Sequence, residues 1–163
     1  MVLMDGPKTN KITDEKAGLA KAENYCAYQD RSQQEVRDKL YEWGLWQAAV
    51  ENIISLLIGE GFLNEERFAK AYAQGKFNQK GWGKIKIKQG LKLKRVPDVL
   101  IKKALLTIAD DDYLRCLERL LEKKEKSITE KDPYKRQYKL QQYAFSRGYE
   151  HDLILDVLKA SHL

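Results

Sequence analysis

Apolar residues recur at helical spacing along most of the chain. The strongest stripe has members at positions i, i+4, i+7, i+8 and i+11, which are Trp46, Val50, Ile53, Ile54 and Leu57. This spacing puts all five side chains on one face of an α-helix and predicts that the face is buried. The pattern therefore predicts helices, with Trp46 and the nearby Trp43 in the core.

Polar residues and glycines mark where these helices begin and end. Residues 32–35, with Ser32 first and Glu35 last, have the form of a capping box, in which each of these two side chains accepts a hydrogen bond from a backbone N–H. Thr13 and Asn64 can cap two further helices. Gly44 suits a helix end because glycine adopts the left-handed conformation readily. The chain is thus divided into short helices joined by tight turns.

The helical pattern continues through the last third of the chain. The acids at 110–112 fit the first turn of a helix, where the helix dipole favours negative charge. Residues 132–133, Asp-Pro, open another helix, whose apolar positions we assign to Tyr134, Tyr138 and Phe145.

The segment KIKIKQGLKLK at residues 84–94 fits two secondary structures. Its alternation has a period of two, which is typical of a β-hairpin turning at Gly90. Read as a helix, the segment places Ile87 and Leu91 on one inward face, although Gly90 costs about 1 kcal/mol relative to alanine.

An internal repeat decides between these structures. A shift of 51 residues, followed by one of 53, brings apolar residues onto apolar residues; for example, Val50 falls on Ile101 and then on Ile154. Self-similarity of this length indicates stacked supersecondary units. A hairpin would break the match, so we predict a helix over 84–94.

The repeat predicts an all-α fold, an elongated, curved array of three tandem three-helix repeats. We expect a flexible N-terminal tail at residues 1–12. The three repeats are then expected at residues 13–60, 61–108 and 109–163.

The net charge is modest, but it is concentrated in one place. The chain has 30 Lys and Arg against 24 Asp and Glu, for a formal charge of +6. Between residues 67 and 103 there are twelve basic residues and one acid, Asp98. Such a block repels itself unless it meets an anion, so the composition favours nucleic acid phosphates or an acidic protein as partner.

Several functional classes lack support in the sequence. The longest apolar run, 53–58, is far below the roughly 20 residues needed to cross a bilayer, and the first ten residues have no signal-peptide core. We therefore expect a cytoplasmic protein without membrane contact. Cys26 and Cys116 lie outside any CxxC pair and are predicted to be reduced, buried thiols. No nucleotide, zinc or calcium motif is present, so we assign no catalytic residue, metal or cofactor and expect no enzyme.

Three short motifs in the middle repeat carry a resemblance to a known family. They are Gly61-Phe62-Leu63-Asn64, Arg67-Phe68-Ala69 and Lys80-Gly81-Trp82-Gly83. With the apolar spacing that follows, the segment closely resembles the central repeat of the RecX family, the bacterial regulators of the RecA recombinase. The first repeat also fits, and the third fits more loosely. The sequence departs from the usual family pattern at Lys84, Gly90 and Arg95, where the last position is usually glycine.

The resemblance implies a non-enzymatic protein that binds RecA filaments on single-stranded DNA. It would inhibit the recombinase, ATPase and coprotease activities of RecA and so act in recombination, DNA repair and the SOS response. We expect a monomer, with duplex DNA as a further partner. The residues assigned to the contact are Arg67, Lys70, Lys80, Trp82, Lys84, Lys86, Lys88, Lys92, Lys94 and Arg95. For Trp82, stacking on a base or wedging against RecA competes with the role of a core residue that anchors a turn.

Two alternative functions remain open at this point. Residues 40–50, with Gly44 in the turn, have the spacing of a helix-turn-helix unit of a DNA-binding transcriptional regulator. A helical-repeat scaffold for an acidic protein would also explain a positive surface.

Overall fold

The computed structural model describes residues 11–161, and the regular secondary structure within them is entirely helical. Their bounds are α1 Glu15–Tyr28, α2 Gln33–Glu42, α3 Gln47–Gly59, α4 Glu65–Lys80, α5 Lys84–Leu93, α6 Asp98–Leu106, α7 Asp110–Ser127, α8 Pro133–Ser146 and α9 His151–Ser161. The prediction of an all-α fold built from three-helix repeats is confirmed. The ambiguous segment at 84–94 is a helix, α5, as the repeat required.

The helix starts follow from local hydrogen bonding. The capping box forms as predicted, because the Ser32 hydroxyl accepts from the Glu35 N–H and the Glu35 carboxylate accepts from the Ser32 N–H. Asn64 caps α4 by accepting from the Arg67 N–H at 2.9 Å. The predicted cap at Thr13 is wrong, because Asp14 accepts from the Lys16 N–H and α1 begins one residue later.

The repeat register appears directly in the helix bounds. A shift of 51 residues brings both ends of α2 onto the ends of α5. A further shift of 53 residues brings the last residue of α5 onto the last residue of α8, and it brings the last residue of α6 onto a position in the final turn of α9. The equivalent core positions are buried in all three repeats, as with Leu40, Leu91 and Ala144. The same backbone plan is therefore built three times with different side chains.

The described residues form two compact units, the first ending at Phe68 and the second beginning at Ala69. The boundary lies inside α4, and the limits given above to the three repeats stay predictions. Most of the predicted flexible tail, residues 1–10, lies outside the described residues. At its end, the Ile12 N–H donates to the Trp43 carbonyl oxygen at 2.7 Å, and the Ile12 side chain packs against the core of the first unit.

Some large apolar residues that the spacing assigned to apolar stripes are exposed. Trp46 is 50% exposed because it precedes α3 as its N-cap, although Trp43 packs against the core as expected. Tyr134, Tyr138 and Phe145 are exposed in α8. A helix buries whichever face meets its neighbours, and in α8 that face carries the smaller Leu140 and Ala144, which are fully buried.

The two cysteines also differ from each other. Cys26 is buried, as predicted, and burial raises the pKa of its thiol. Cys116 is only half-buried, so the prediction of a second buried thiol is wrong. Among residues 11–161, no helix is long and apolar enough to span a membrane.

In the second unit, the start of α5 is capped by the turn between α8 and α9. Three successive N–H groups that a helix start leaves without intrahelical partners find acceptors, two of them in this turn and one in α7. Gly83 donates to the Arg147 carbonyl oxygen at 2.8 Å and Ile85 donates to the Gly148 carbonyl oxygen at 2.9 Å. Between them, the Lys84 N–H donates to the Tyr113 hydroxyl at 3.0 Å. We call this contact the glycine joint.

The glycine joint leaves no room for a side chain. A Cβ atom at Gly83 would overlap the carbonyl group of Gly148, and one at Gly148 would overlap Lys86. Glycine on both sides therefore lets the two backbones approach within hydrogen-bonding distance.

Two stacked tyrosines close the joint from the side of the core. The rings of Tyr113 and Tyr149 have centroids 5.0 Å apart. The Tyr113 hydroxyl donates to Glu150, and the Tyr149 hydroxyl donates to the Gly81 carbonyl oxygen at 2.9 Å. Burial is the main cause that raises the pKa of both phenols, so both remain neutral donors at physiological pH.

We predict that Gly83→Ala lowers the free energy of unfolding by about 2 kcal/mol or more, because the added methyl group must push two backbones apart. This exceeds the roughly 1 kcal/mol expected from a changed N-cap alone. Urea denaturation followed by circular dichroism measures the loss. Gly75→Ala is the matched control, because a Cβ there meets open space and alanine favours a helix interior. Equal stability of Gly83→Ala and the original chain would show that the joint is not tightly packed.

Candidate functional site

Helix α5 carries the densest part of the basic block. Ile87 and Leu91 are buried and fix which face of α5 meets the protein. On the remaining circumference, Lys88 and Lys92 share one flank, whereas Lys86 lies on the other. Leu93, which is 84% exposed, lies between these flanks. The predicted lysine patch is therefore split along the helix.

The first flank borders a cleft between α5 and α6. The cleft has a volume of about 350 Å³, with a floor that includes Ile101 and Leu105. Lys84, Lys88 and Lys102 stand around it, with Asp98 as its only lining acid. The apolar floor can contact an apolar part of a ligand, and the lysines of the rim can contact its negatively charged groups.

Lys84 has a structural role besides its place at this cleft. Its ammonium nitrogen lies 4.8 Å from the ring centroid of Tyr113 and 3.9 Å from a carboxylate oxygen of Asp110. Its side chain is only 25% exposed. Lys84 therefore reinforces the glycine joint, and its charge is partly compensated inside the protein.

On the second flank, the Trp82 ring contacts the ammonium groups of two lysines. The ammonium nitrogens of Lys76 and Lys86 lie 4.9 and 4.6 Å from centroids of its indole ring system. The backbone N–H of Trp82 donates to the Lys76 carbonyl oxygen at 3.2 Å. This hydrogen bond stabilises the turn in which the chain reverses after α4. Trp82 is half-buried, so its ring both anchors the turn and orients two cations.

The remaining predicted residues fall into separate groups. Lys70, Lys80, Lys92 and Arg95 are exposed, whereas Lys94 is half-buried at the end of α5. Arg67 belongs to the first unit, where its Nε lies 2.5 Å from a carboxylate oxygen of Asp30. Its guanidinium also donates to the carbonyl oxygens of residues 61 and 62, so much of its hydrogen-bonding capacity serves the turn before α4.

Two cations of the site were not assigned to it from sequence. Lys76 joins Trp82 across six residues, and Lys102 joins the α5 cleft from α6. The helix break at Gly81 could have predicted the contact of Lys76, because a chain that turns back after a helix brings the last helical turn near Trp82. The second depends on how α5 and α6 pack, which residue spacing does not specify.

Arg95 adopts a backbone conformation that favours glycine. Its φ is 56°, and it is the one non-glycine residue with positive φ in the described part of the chain. The positions equivalent to it in the other repeats are Gly44 and Gly148, with φ of 96° and 97°. All three repeats therefore end their second helix with a left-handed residue, and the middle repeat places a cation there.

Models of known protein families match segments in all three repeats of this chain. Three family models match consecutive segments: RecX, first three-helix domain, at residues 19–57; RecX, second three-helix domain, at 64–105; and RecX, third three-helix domain, at 110–158. The chain belongs to the RecX family.

Individual RecX proteins agree with this assignment. Regulatory protein RecX of Bacillus licheniformis is 31% identical over 149 residues, covering 90% of this chain and 56% of the relative. Regulatory protein RecX of Clostridium acetobutylicum is 31% identical over 133 residues, covering 79% and 61%. The chain therefore spans little more than half the length of these relatives. The crystal structure of RecX from Lactobacillus salivarius matches with a TM-score of 0.83 at 26% identity, over 90% of this chain and 95% of that one.

We predict that Arg95→Gly raises the free energy of unfolding by about 1 kcal/mol, because a side chain is disfavoured at positive φ. The midpoint of urea denaturation reports the gain. Lys94→Gly is the control, since its φ of −89° gives glycine no advantage there, and this variant should lose stability. A lower midpoint for Arg95→Gly than for the original chain would contradict the explanation.

Proposed function

We propose that this chain is a non-enzymatic regulator that binds RecA filaments on single-stranded DNA and inhibits the recombinase, ATPase and coprotease activities of RecA. It would act as a monomer in the cytoplasm, in recombination, DNA repair and the SOS response. The observation that carries the proposal is a RecX second domain whose α5 presents lysines outward from a firmly packed helix.

The physical basis is charge. Twelve basic residues and one acid between 67 and 103 give a field that favours a polyanion. Binding a nucleic acid releases its condensed counterions, so affinity falls steeply as salt increases. We assign the direct phosphate contacts to exposed cations on or near α5, which are Lys80, Lys88, Lys92 and Arg95.

The other predicted site residues receive supporting roles. Lys84 and Arg67 already have carboxylate partners within the protein. Lys86 is held by Trp82, so it meets a partner from a fixed position. Lys70 and Lys94 complete the basic surroundings of the site. Duplex DNA is a further partner through the same phosphate chemistry.

A helix-turn-helix regulator is less well supported. Helix α3 would be the recognition helix, yet it contains no lysine or arginine. Its exposed Glu51 accepts from Arg37 at 2.8 Å, and this contact lowers the pKa of the carboxyl group, so a negative charge would face the phosphates. The basic residues are concentrated between residues 67 and 103, outside the residues 40–50 that resemble a helix-turn-helix unit.

We predict that the chain inhibits the single-stranded-DNA-dependent ATPase of RecA at substoichiometric concentration. Lys88→Glu combined with Lys92→Glu should raise the concentration needed for half-inhibition about tenfold, which corresponds to about 1.4 kcal/mol. The ATPase rate and co-sedimentation with filaments, both measured at several salt concentrations, provide the test.

The control variant combines Lys16→Glu with Lys159→Glu, which changes net charge equally at two exposed positions in α1 and α9. It should inhibit like the original chain. Absence of both inhibition and filament binding at low salt would overturn the proposal. Equal potency of the two double variants would contradict the assigned contacts, and binding to RecA that ignores DNA would favour the protein-scaffold alternative.

A further inference from the structure

Helix α8 displays a line of aromatic side chains on its exposed face. Tyr134 is 84% exposed, Tyr138 is 58% exposed and Phe145 is 53% exposed. Their positions i, i+4 and i+11 fall on one side of the helix. Leu140 and Ala144, on another side, are fully buried and supply the packing of α8. We call the exposed line the aromatic track.

Positive charge accompanies the aromatic track. Helix α8 contains no acidic residue. Lys135 and Lys139 each follow a track tyrosine by one residue, and both are exposed. Lys135 has no ion-pair partner among residues 11–161, and Lys139 has only a 3.7 Å contact with Glu130. Both cations are thus available to an anionic ligand.

The third cation of α8 shows the contrast with these two lysines. Arg136 is half-buried and ion-paired with Glu125 at 3.1 Å, and it donates to the carbonyl oxygen of Ile128. Arg136 therefore connects the loop after α7 to α8 and stabilises the fold. In the described part of the chain, neither Lys135 nor Lys139 makes a comparable set of contacts with that loop.

A cleft of about 500 Å³ opens beside the track. Tyr138 and Tyr143 are among its lining residues, together with the polar side chains of Ser127, Thr129 and Gln142. The ammonium nitrogen of Lys124 lies 4.7 Å from the Tyr143 ring centroid at the same cleft. Aromatic surfaces combined with hydroxyl and amide groups suit a flat heterocycle that carries hydrogen-bonding edges.

We propose that α8 is a binding site for single-stranded nucleic acid, separate from the α5 lysines. Unpaired bases stack on Tyr134, Tyr138 and Phe145, and phosphates meet Lys135 and Lys139. Alternating aromatic and basic side chains are the usual means of holding a single strand, because every base has a face that can stack.

The geometry favours a single strand over a duplex. Tyr134 and Tyr138 are one helical turn apart, about 6 Å along the axis. Bases in B-form DNA are separated by about 3.4 Å and are already stacked on one another. Rings at the wider spacing fit bases that have been pulled apart, and paired bases present no free faces to them.

The proposal does not depend on RecA. It concerns direct binding by α8, so failure of RecA inhibition would leave it intact, and failure of α8 binding would leave the α5 proposal intact. The direct phosphate contacts assigned near α5 are made by cations, whereas the α8 site needs aromatic rings.

The test measures fluorescence anisotropy of a labelled oligothymidine, and of a labelled duplex of equal length, without RecA. Tyr134→Ala combined with Tyr138→Ala should weaken single-strand binding about tenfold or more and leave duplex binding unchanged. Tyr134→Phe combined with Tyr138→Phe should restore the affinity, because stacking needs the ring and not the hydroxyl. Lys135→Glu combined with Lys139→Glu should reduce the salt dependence of binding.

The control combines Tyr28→Ala with Tyr41→Ala, which removes two exposed tyrosines from the first unit and should not change binding. The same loss is expected when the α8 tyrosines are replaced in a chain that already carries Lys88→Glu and Lys92→Glu. Unchanged single-strand affinity of the folded tyrosine-to-alanine variant, checked by circular dichroism, would overturn the proposal. So would equal weakening of duplex binding, or normal DNA binding combined with lost inhibition of RecA, which would identify a protein contact.

Discussion

The second unit depends on the close approach of two backbones at Gly83 and Gly148. Hydrogen bonds from the start of α5 to the turn before α9 satisfy donors that most helices satisfy with a capping side chain. Because α5 begins at this contact, the joint and the buried Ile87 and Leu91 together fix the rotation of α5 and hence the directions of its lysines. Neither glycine tolerates a side chain, so this arrangement is sensitive to substitution at just these positions.

The basic residues divide into those that maintain the fold and those that face outward. Lys84 and Arg67 have carboxylates and aromatic or carbonyl groups beside them, and Lys76 and Lys86 share the Trp82 ring. Lys88 and Lys92 project from the exposed side of α5. The block of like charge is thus tolerated because part of it is compensated locally, and the uncompensated part is what an anionic partner would meet.

Sequence reasoning worked best where all three repeats obey the same constraint. Buried positions such as Leu40 and Leu91 recur because each repeat must fill the same core, so comparison of the repeats identified a helix at 84–94 against its alternating pattern. The left-handed position after each second helix is likewise common to the repeats, and Arg95 keeps the conformation without the glycine.

It was less successful where a helix has two apolar sides or where partners are distant in sequence. In α8 the large aromatic residues gave the more conspicuous stripe, but the smaller Leu140 and Ala144 meet the neighbouring helices. Spacing alone cannot rank two stripes that both have helical period. Likewise, the contact of Lys84 with Tyr113 joins separate repeats, and only the packed structure places them together.

We propose that the outward-facing lysines of α5, Lys88 and Lys92, contact the RecA filament. Lysine acetylation followed by mass spectrometry, with and without RecA assembled on single-stranded DNA, tests it residue by residue. We expect Lys88 and Lys92 to become protected on filament binding, whereas Lys16 and Lys159 keep their reactivity. Unchanged reactivity of Lys88 and Lys92 in a chain that is bound to the filament would contradict it.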